Sequence, residues 1–61
     1  MNTITLYRTP QGFMAQFSDP AIKRDFGTDV LPTAFTANAN PERVRAQIQA
    51  LNPNARVEVV T

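Results

Sequence analysis

Hydrophobic and polar side chains alternate along residues 3–9 and again along residues 13–18. A period of two, in segments rich in β-branched and aromatic residues, predicts β-strands. Pro10-Gln11-Gly12 separates the two segments and has the composition of a turn, because proline fixes φ and glycine adopts positive φ freely. The pattern therefore predicts a β-hairpin at the start of the chain.

A different pattern begins at Asp19-Pro20. Aspartate is a strong helix N-cap, and proline suits the first helical position because its missing N–H would have no partner there. Ile22 and Phe26 are four residues apart and would share one helical face, and Gly27 suits a left-handed C-terminal cap. We expect a short helix over residues 20–26, or an irregular loop with the same two apolar anchors.

Asn40-Pro41 is the clearest helix start in the sequence. It combines an N-cap with a proline at the first helical position, and Glu42 adds a negative charge that complements the helix dipole. Apolar residues then recur with helical spacing, at Val44, Ile48 and Leu51. This pattern predicts an amphipathic helix over residues 41–51.

Two further strands complete the prediction. Proline cannot donate to a strand ladder, so Pro32 must lie at the beginning or the edge of a strand, and we expect the third strand at residues 33–36. Ala55, Val57 and Val59 alternate with charged residues and predict a last strand that continues to the C-terminus. The element order is β-β-(short α)-β-α-β.

This order predicts one small α+β domain over residues 1–61. Its sheet would be mostly antiparallel with three to four strands, and the main helix would pack on one face. The predicted core residues alternate along the strands or share one helical face: Ile4, Leu6, Phe13, Ala15, Phe17, Ile22, Phe26, Phe35, Val44, Ile48, Leu51, Val57 and Val59. The opposite face would present Thr3, Thr5, Tyr7, Met14 and Gln16 to solvent or to a partner.

Composition argues against catalysis. The chain has 61 residues and contains neither Cys nor His, so it lacks disulfides, thiolate ligands, the commonest metal ligand and the usual proton shuttle. Ser18 is the single serine, and its position fits a hairpin-end or capping role. Asp25 and Asp29 flank Gly27, but surface charges around a helix cap explain them better than a shared cation does. We expect no enzyme, no cofactor and no metal site.

Hydropathy argues against a membrane protein. The longest apolar run has three residues, Phe13-Met14-Ala15, which is far too short to span a bilayer. The first residues lack the basic and apolar regions of a signal peptide, so the expected location is the cytoplasm.

The size of the predicted core favours a role in protein interaction. A chain of about 60 residues buries only about 60% of its unfolded surface, and small scaffolds often rely on a partner subunit. The predicted sheet has at least one free edge. We therefore expect a homo-oligomer or a complex with another protein, with Tyr7, Met14 and Gln16 as the partner-binding residues. Pro32, Arg56 and Glu58 would be the residues that protect an edge if no partner binds.

The alternative is a nucleic-acid-binding module. The net charge is only +1, so binding would depend on a local cluster of basic side chains. The candidates are Arg43 and Arg45 on the predicted helix 41–51 and Arg56 on the last strand. A polar helix face is more often simply solvated, so this function is the less favoured of the two.

The segment Gly12-Phe13-Met14-Ala15-Gln16-Phe17-Ser18-Asp19 resembles the second strand of the HicB-like antitoxin domain, which has a Gly-aromatic-x-Ala-x-x-x-Asp pattern. The order of elements over residues 3–60 is also similar. Two features depart from the family: residues 22–31 are longer than its usual loop, and Arg43 and Arg45 make the normally acidic helix basic. The resemblance implies a non-enzymatic domain that pairs with itself and blocks or organises a partner protein. It does not extend to DNA binding, because this chain lacks the DNA-binding segment of the family.

Overall fold

The computed structural model describes residues 2–60, which form two helices and four strands. In chain order they are β1 (Thr3–Thr9), β2 (Gly12–Phe17), α1 (Pro20–Phe26), β3 (Val30–Pro32), α2 (Pro41–Leu51) and β4 (Arg56–Val60). The fold is of the predicted α+β class, with the predicted order of elements.

The four strands form one sheet in the order β3-β2-β1-β4. The pairs β1–β2 and β2–β3 are antiparallel, whereas β4 runs parallel to β1. The parallel pair arises because α2 carries the chain from β3 at one edge across the sheet to β4 at the other. The sheet is therefore mixed, although two of its three pairings are antiparallel as predicted.

The core lies between α2 and one face of the sheet, called here the inner face. Its buried side chains are Ile4, Leu6, Phe13, Ala15, Val44 and Val57. Val44 is the buried residue of α2, and partly buried Phe17, Phe35, Ile48 and Val59 pack around this cluster. The period-two pattern thus assigned the residues of β1, β2 and β4 to the correct faces.

Both predicted helix starts are confirmed by their hydrogen bonds. The Asp19 carboxylate accepts from the Ala21 N–H at 2.9 Å, and the Asn40 side chain accepts from the Glu42 N–H at 2.9 Å. Gly27 ends α1 at φ 76°, in the left-handed region, and its N–H donates to the Lys23 carbonyl at 2.8 Å.

The third strand does not lie at residues 33–36 as predicted. It lies at Val30–Pro32 and pairs with residues 14–16 of β2. Pro32 is tolerated as its last residue because β3 is an edge strand, where the side lacking a donor faces outward. After β3 the chain bends, and the Phe35 carbonyl returns to accept from the Phe13 N–H at 3.1 Å. This bond holds Phe35 against the core outside any strand.

Three predicted core residues lie outside the core cluster. Phe26 is 63% exposed and Leu51 is 70% exposed, while Ile22 is only half-buried. The seven residues of α1 are too few to lay a continuous apolar stripe on the sheet, and none of them is buried. Leu51 is the last residue of α2, at the end of the helix.

Candidate protein-interaction surface

The outer face of the sheet carries a row of apolar side chains across all four strands. Strand register places Pro32 beside Met14, Met14 opposite Tyr7, and Tyr7 beside Val60. Tyr7 and Met14 are half-buried, and Val60 is 58% exposed. We call these four residues the outer row. The structure thus brings together the predicted partner-binding residues Tyr7 and Met14.

Apart from Val30, the rest of the outer face is polar. Gln16, the third predicted partner-binding residue, lies one row away, between Val30 and Thr5. The same row ends at Glu58 on β4, whose carboxylate lies 2.8 Å from the Nε atom of Arg56. The outer face therefore combines one apolar row with neighbouring hydrogen-bonding and charged groups, as protein interfaces do.

The β3 edge of the sheet is blocked. The Phe17 N–H donates to the Asp29 carbonyl, and the Thr33 N–H donates to the Phe13 carbonyl. These two bonds lie at the two ends of the β2–β3 pair and fix its alternation, so the backbone groups of Val30 point outward. The Thr28 hydroxyl accepts from the Val30 N–H at 3.2 Å and lies 3.4 Å from the Val30 carbonyl, to which it donates. Pro32 has no N–H to offer. An incoming strand would find few groups to pair with here.

The backbone of the β4 edge is open, although Arg56 and Glu58, two of the three residues expected to protect an edge, lie on this strand. The Arg56 N–H donates to the Asn2 carbonyl at 2.8 Å, which fixes the alternation of the parallel ladder. The backbone groups of Arg56, Glu58 and Val60 therefore face β1, and those of Val57 and Val59 face outward. Within residues 2–60, no loop or side chain hydrogen-bonds to these outward groups. A bare row of backbone donors and acceptors is a template for another strand.

A second apolar surface lies on the inner face, where α2 leaves the sheet incompletely covered. Because α2 packs chiefly against β4, a groove of about 420 Å³ remains between the helix and β3. Phe17, Leu31, Phe35, Ile48 and Leu51 line it. Sequence reasoning missed this groove, since it placed Phe17, Phe35 and Leu51 in a closed core; no sequence signal showed that α2 lies toward one side of the sheet.

The three candidate arginines of the nucleic-acid alternative do not form one patch. Arg43 and Arg45 lie on α2, which covers the inner face, whereas the side chain of Arg56 belongs to the outer face. Arg45 lies 3.3 Å from the Glu42 carboxylate, and Arg56 pairs with Glu58. Two of the three positive charges are thus accompanied by a carboxylate from the same element.

Ser18, the single serine, holds the end of the hairpin. Its Oγ accepts from the Thr3 N–H at 2.8 Å, the structural role that its position indicated. In the part of the chain that the structure describes, no three Asp or Glu side chains cluster as a metal site would require, and no helix is long and apolar enough to cross a membrane.

Neither a protein-family model, nor a curated protein, nor a solved structure matches the chain. The four residues that carry the HicB-like resemblance all have structural roles in this fold. Gly12 and Phe13 open β2, Ala15 is buried beneath α2, and Asp19 caps α1.

Proposed function

We propose that the chain is a small non-catalytic protein-interaction domain that associates with itself. The observation that carries this proposal is the difference between the two sheet edges: Thr28 and Pro32 block β3, while β4 leaves the backbone of Val57 and Val59 open. Native sheets usually protect their edge strands against pairing. A protected β3 edge and an exposed β4 backbone therefore favour strand pairing at β4.

The size of the core supports the same function. Six hydrophobic side chains are buried within residues 2–60, so the free energy of unfolding of a single copy is small. Association would add buried apolar area and strand pairing, and a dimer is stabilised by mass action as its concentration rises. Self-association would therefore contribute to folding as well as to function.

The outer row would then contact a protein other than a second copy. Tyr7 and Met14 supply apolar area at its centre, and Gln16 supplies an amide that donates and accepts beside it. If the HicB-like resemblance extends to function, this second protein would be a toxin that the domain holds inactive.

Light scattering during size-exclusion chromatography tests the proposal. We expect a mass near twice the 6.8 kDa of one chain at micromolar concentration, and a midpoint of thermal unfolding that rises with protein concentration. A mass of one chain at millimolar concentration, with a midpoint independent of concentration, would overturn self-association.

A further inference from the structure

We propose that two copies join through antiparallel pairing of their β4 strands, with Val57 of each copy facing Val57 of the other at the two-fold axis. This inference rests on the proposed self-association and assigns it a surface and a register. The dimer would contain one continuous sheet of eight strands, because each copy contributes four and β4 lies at the edge.

The backbone of β4 can make this pairing. The Val57 N–H and carbonyl of each copy would bond to those of Val57 in the other. The Val59 N–H would meet the Ala55 carbonyl, which accepts one bond from Gln49 at 2.9 Å and keeps a second lone pair. The Ala55 N–H is already donated to the Asn52 carbonyl, so the strand pairing ends there.

Charge selects this register among the ways in which two β4 strands can meet. With Val57 at the axis, Arg56 lies directly opposite Glu58 of the second copy, and the reverse pair forms on the other side of the axis. An antiparallel pair centred on Glu58 would bring two glutamates together, and a parallel pair in register would place Arg56 beside Arg56 and Glu58 beside Glu58. Opposite charges facing each other across strands are favourable, whereas like charges there are destabilising.

The side chains on the inner face suit the same arrangement. Val57 is 7% exposed and Val59 is partly buried, and both belong to the apolar cluster under α2. Two copies would place Val57 against Val57 and Val59 against Ala55 across the axis. The two cores would thus meet through apolar contacts, while the charged pairs stay on the outer face.

Charge reversal tests the register. Sedimentation equilibrium would compare the wild-type chain with Arg56→Glu, Glu58→Arg and the double variant carrying both changes. Each single change puts like charges opposite each other twice, and we expect the dimer dissociation constant to rise roughly tenfold or more. The double variant restores opposite charges in this register, and its dissociation constant should return to near the wild-type value. A double variant as weak as the single ones would overturn the register.

Glu58→Gln sharpens the result. It should weaken a dimer centred on Val57 by removing both ion pairs, but strengthen one centred on Glu58 by removing a repulsion. The matched control is Arg24→Glu, which breaks the exposed Arg24–Asp25 pair on α1 and reverses the same charge away from β4. It should leave the dissociation constant unchanged, and circular dichroism should show that every variant folds.

Failure of the register and failure of the proposed function give different outcomes. A wild-type chain that stays monomeric overturns both. A wild-type dimer that is indifferent to all changes at Arg56 and Glu58 keeps the proposed function and overturns edge pairing. Replacing both Tyr7 and Met14 with glutamate should leave an edge-paired dimer intact; dissociation of this variant would instead place the contact between copies on the outer row.

Discussion

Gly12 occupies a position where the backbone cannot easily accept a side chain. It begins β2 at φ 130°, a region that other residues adopt rarely, and it is buried where the loop after β3 returns to the sheet. A Cβ atom added there would lie 2.7 Å from the Phe35 carbonyl oxygen. That carbonyl accepts from the Phe13 N–H and fixes the loop, so it cannot move away without losing the bond.

We therefore expect Gly12→Ala to lower the free energy of unfolding by about 2–4 kcal/mol, since backbone strain and a backbone clash add. Gly27 supplies the control, because it also has positive φ but an added Cβ would meet no atom within 4 Å. Gly27→Ala should cost only about 1 kcal/mol, the strain of the left-handed conformation alone. Thermal and urea unfolding at equal protein concentration would compare the two, and equal losses would contradict this account of Gly12.

At the scale of elements, α1 differs from α2 because none of its residues is buried, whereas α2 buries Val44. Seven residues are too few for a helix to be stable alone, and packing does not compensate here. The Asp19 cap and the Gly27 N–H bond to Lys23 define its ends but bury no apolar area.

We expect the amide protons of α1 to exchange with solvent through local opening, at least roughly tenfold faster than those in the second half of α2. The comparison is internal to one molecule, so both helices experience the same global unfolding. Hydrogen exchange followed by NMR measures it residue by residue. Equal protection in α1 and α2 would show that α1 is held by contacts beyond its caps.

The elements could be predicted where local chemistry decides the structure. The caps at Asp19 and Asn40 and the alternation in β1 are properties of neighbouring residues, and all lie where the sequence indicated. The third strand could not be located, because its position depends on hydrogen bonds to distant residues. The Phe17 N–H bonds to Asp29, and the Phe35 carbonyl reaches back to Phe13, so pairing ends at Pro32.

At the scale of the whole molecule, the candidate interface was only partly predictable. Hairpin register alone puts Tyr7 opposite Met14, so the centre of the outer row follows from sequence. Val60 joins the row only because α2 returns the chain to the β1 edge in the parallel sense. The open edge could not be chosen from sequence either, since the Thr28 hydroxyl that blocks β3 acts through a turn whose geometry no pattern indicated.

The distribution of charge over the molecule leads to the last prediction, which concerns the nucleic-acid alternative. Arg43 and Arg45 lie with α2 over the inner face, and Arg56 belongs to the outer face, so one duplex cannot contact all three. If the three acted together, the logarithm of the affinity for DNA would fall with the logarithm of salt with a slope of about −2.7.

We expect either no complex or a slope no steeper than about −1, since Arg45 and Arg56 are already paired with carboxylates and Arg43 is left as the candidate contact. Fluorescence anisotropy with labelled DNA and RNA across a salt series measures this slope. Arg43→Ala should abolish any weak binding, whereas Arg24→Ala, the same loss of charge on α1, should leave it unchanged. If the slope were near −3 and became less steep when either Arg43 or Arg56 is replaced, the two faces would bind one nucleic acid together. Because a single copy cannot present both faces to one duplex, that result would require an assembly in which different copies supply the different arginines.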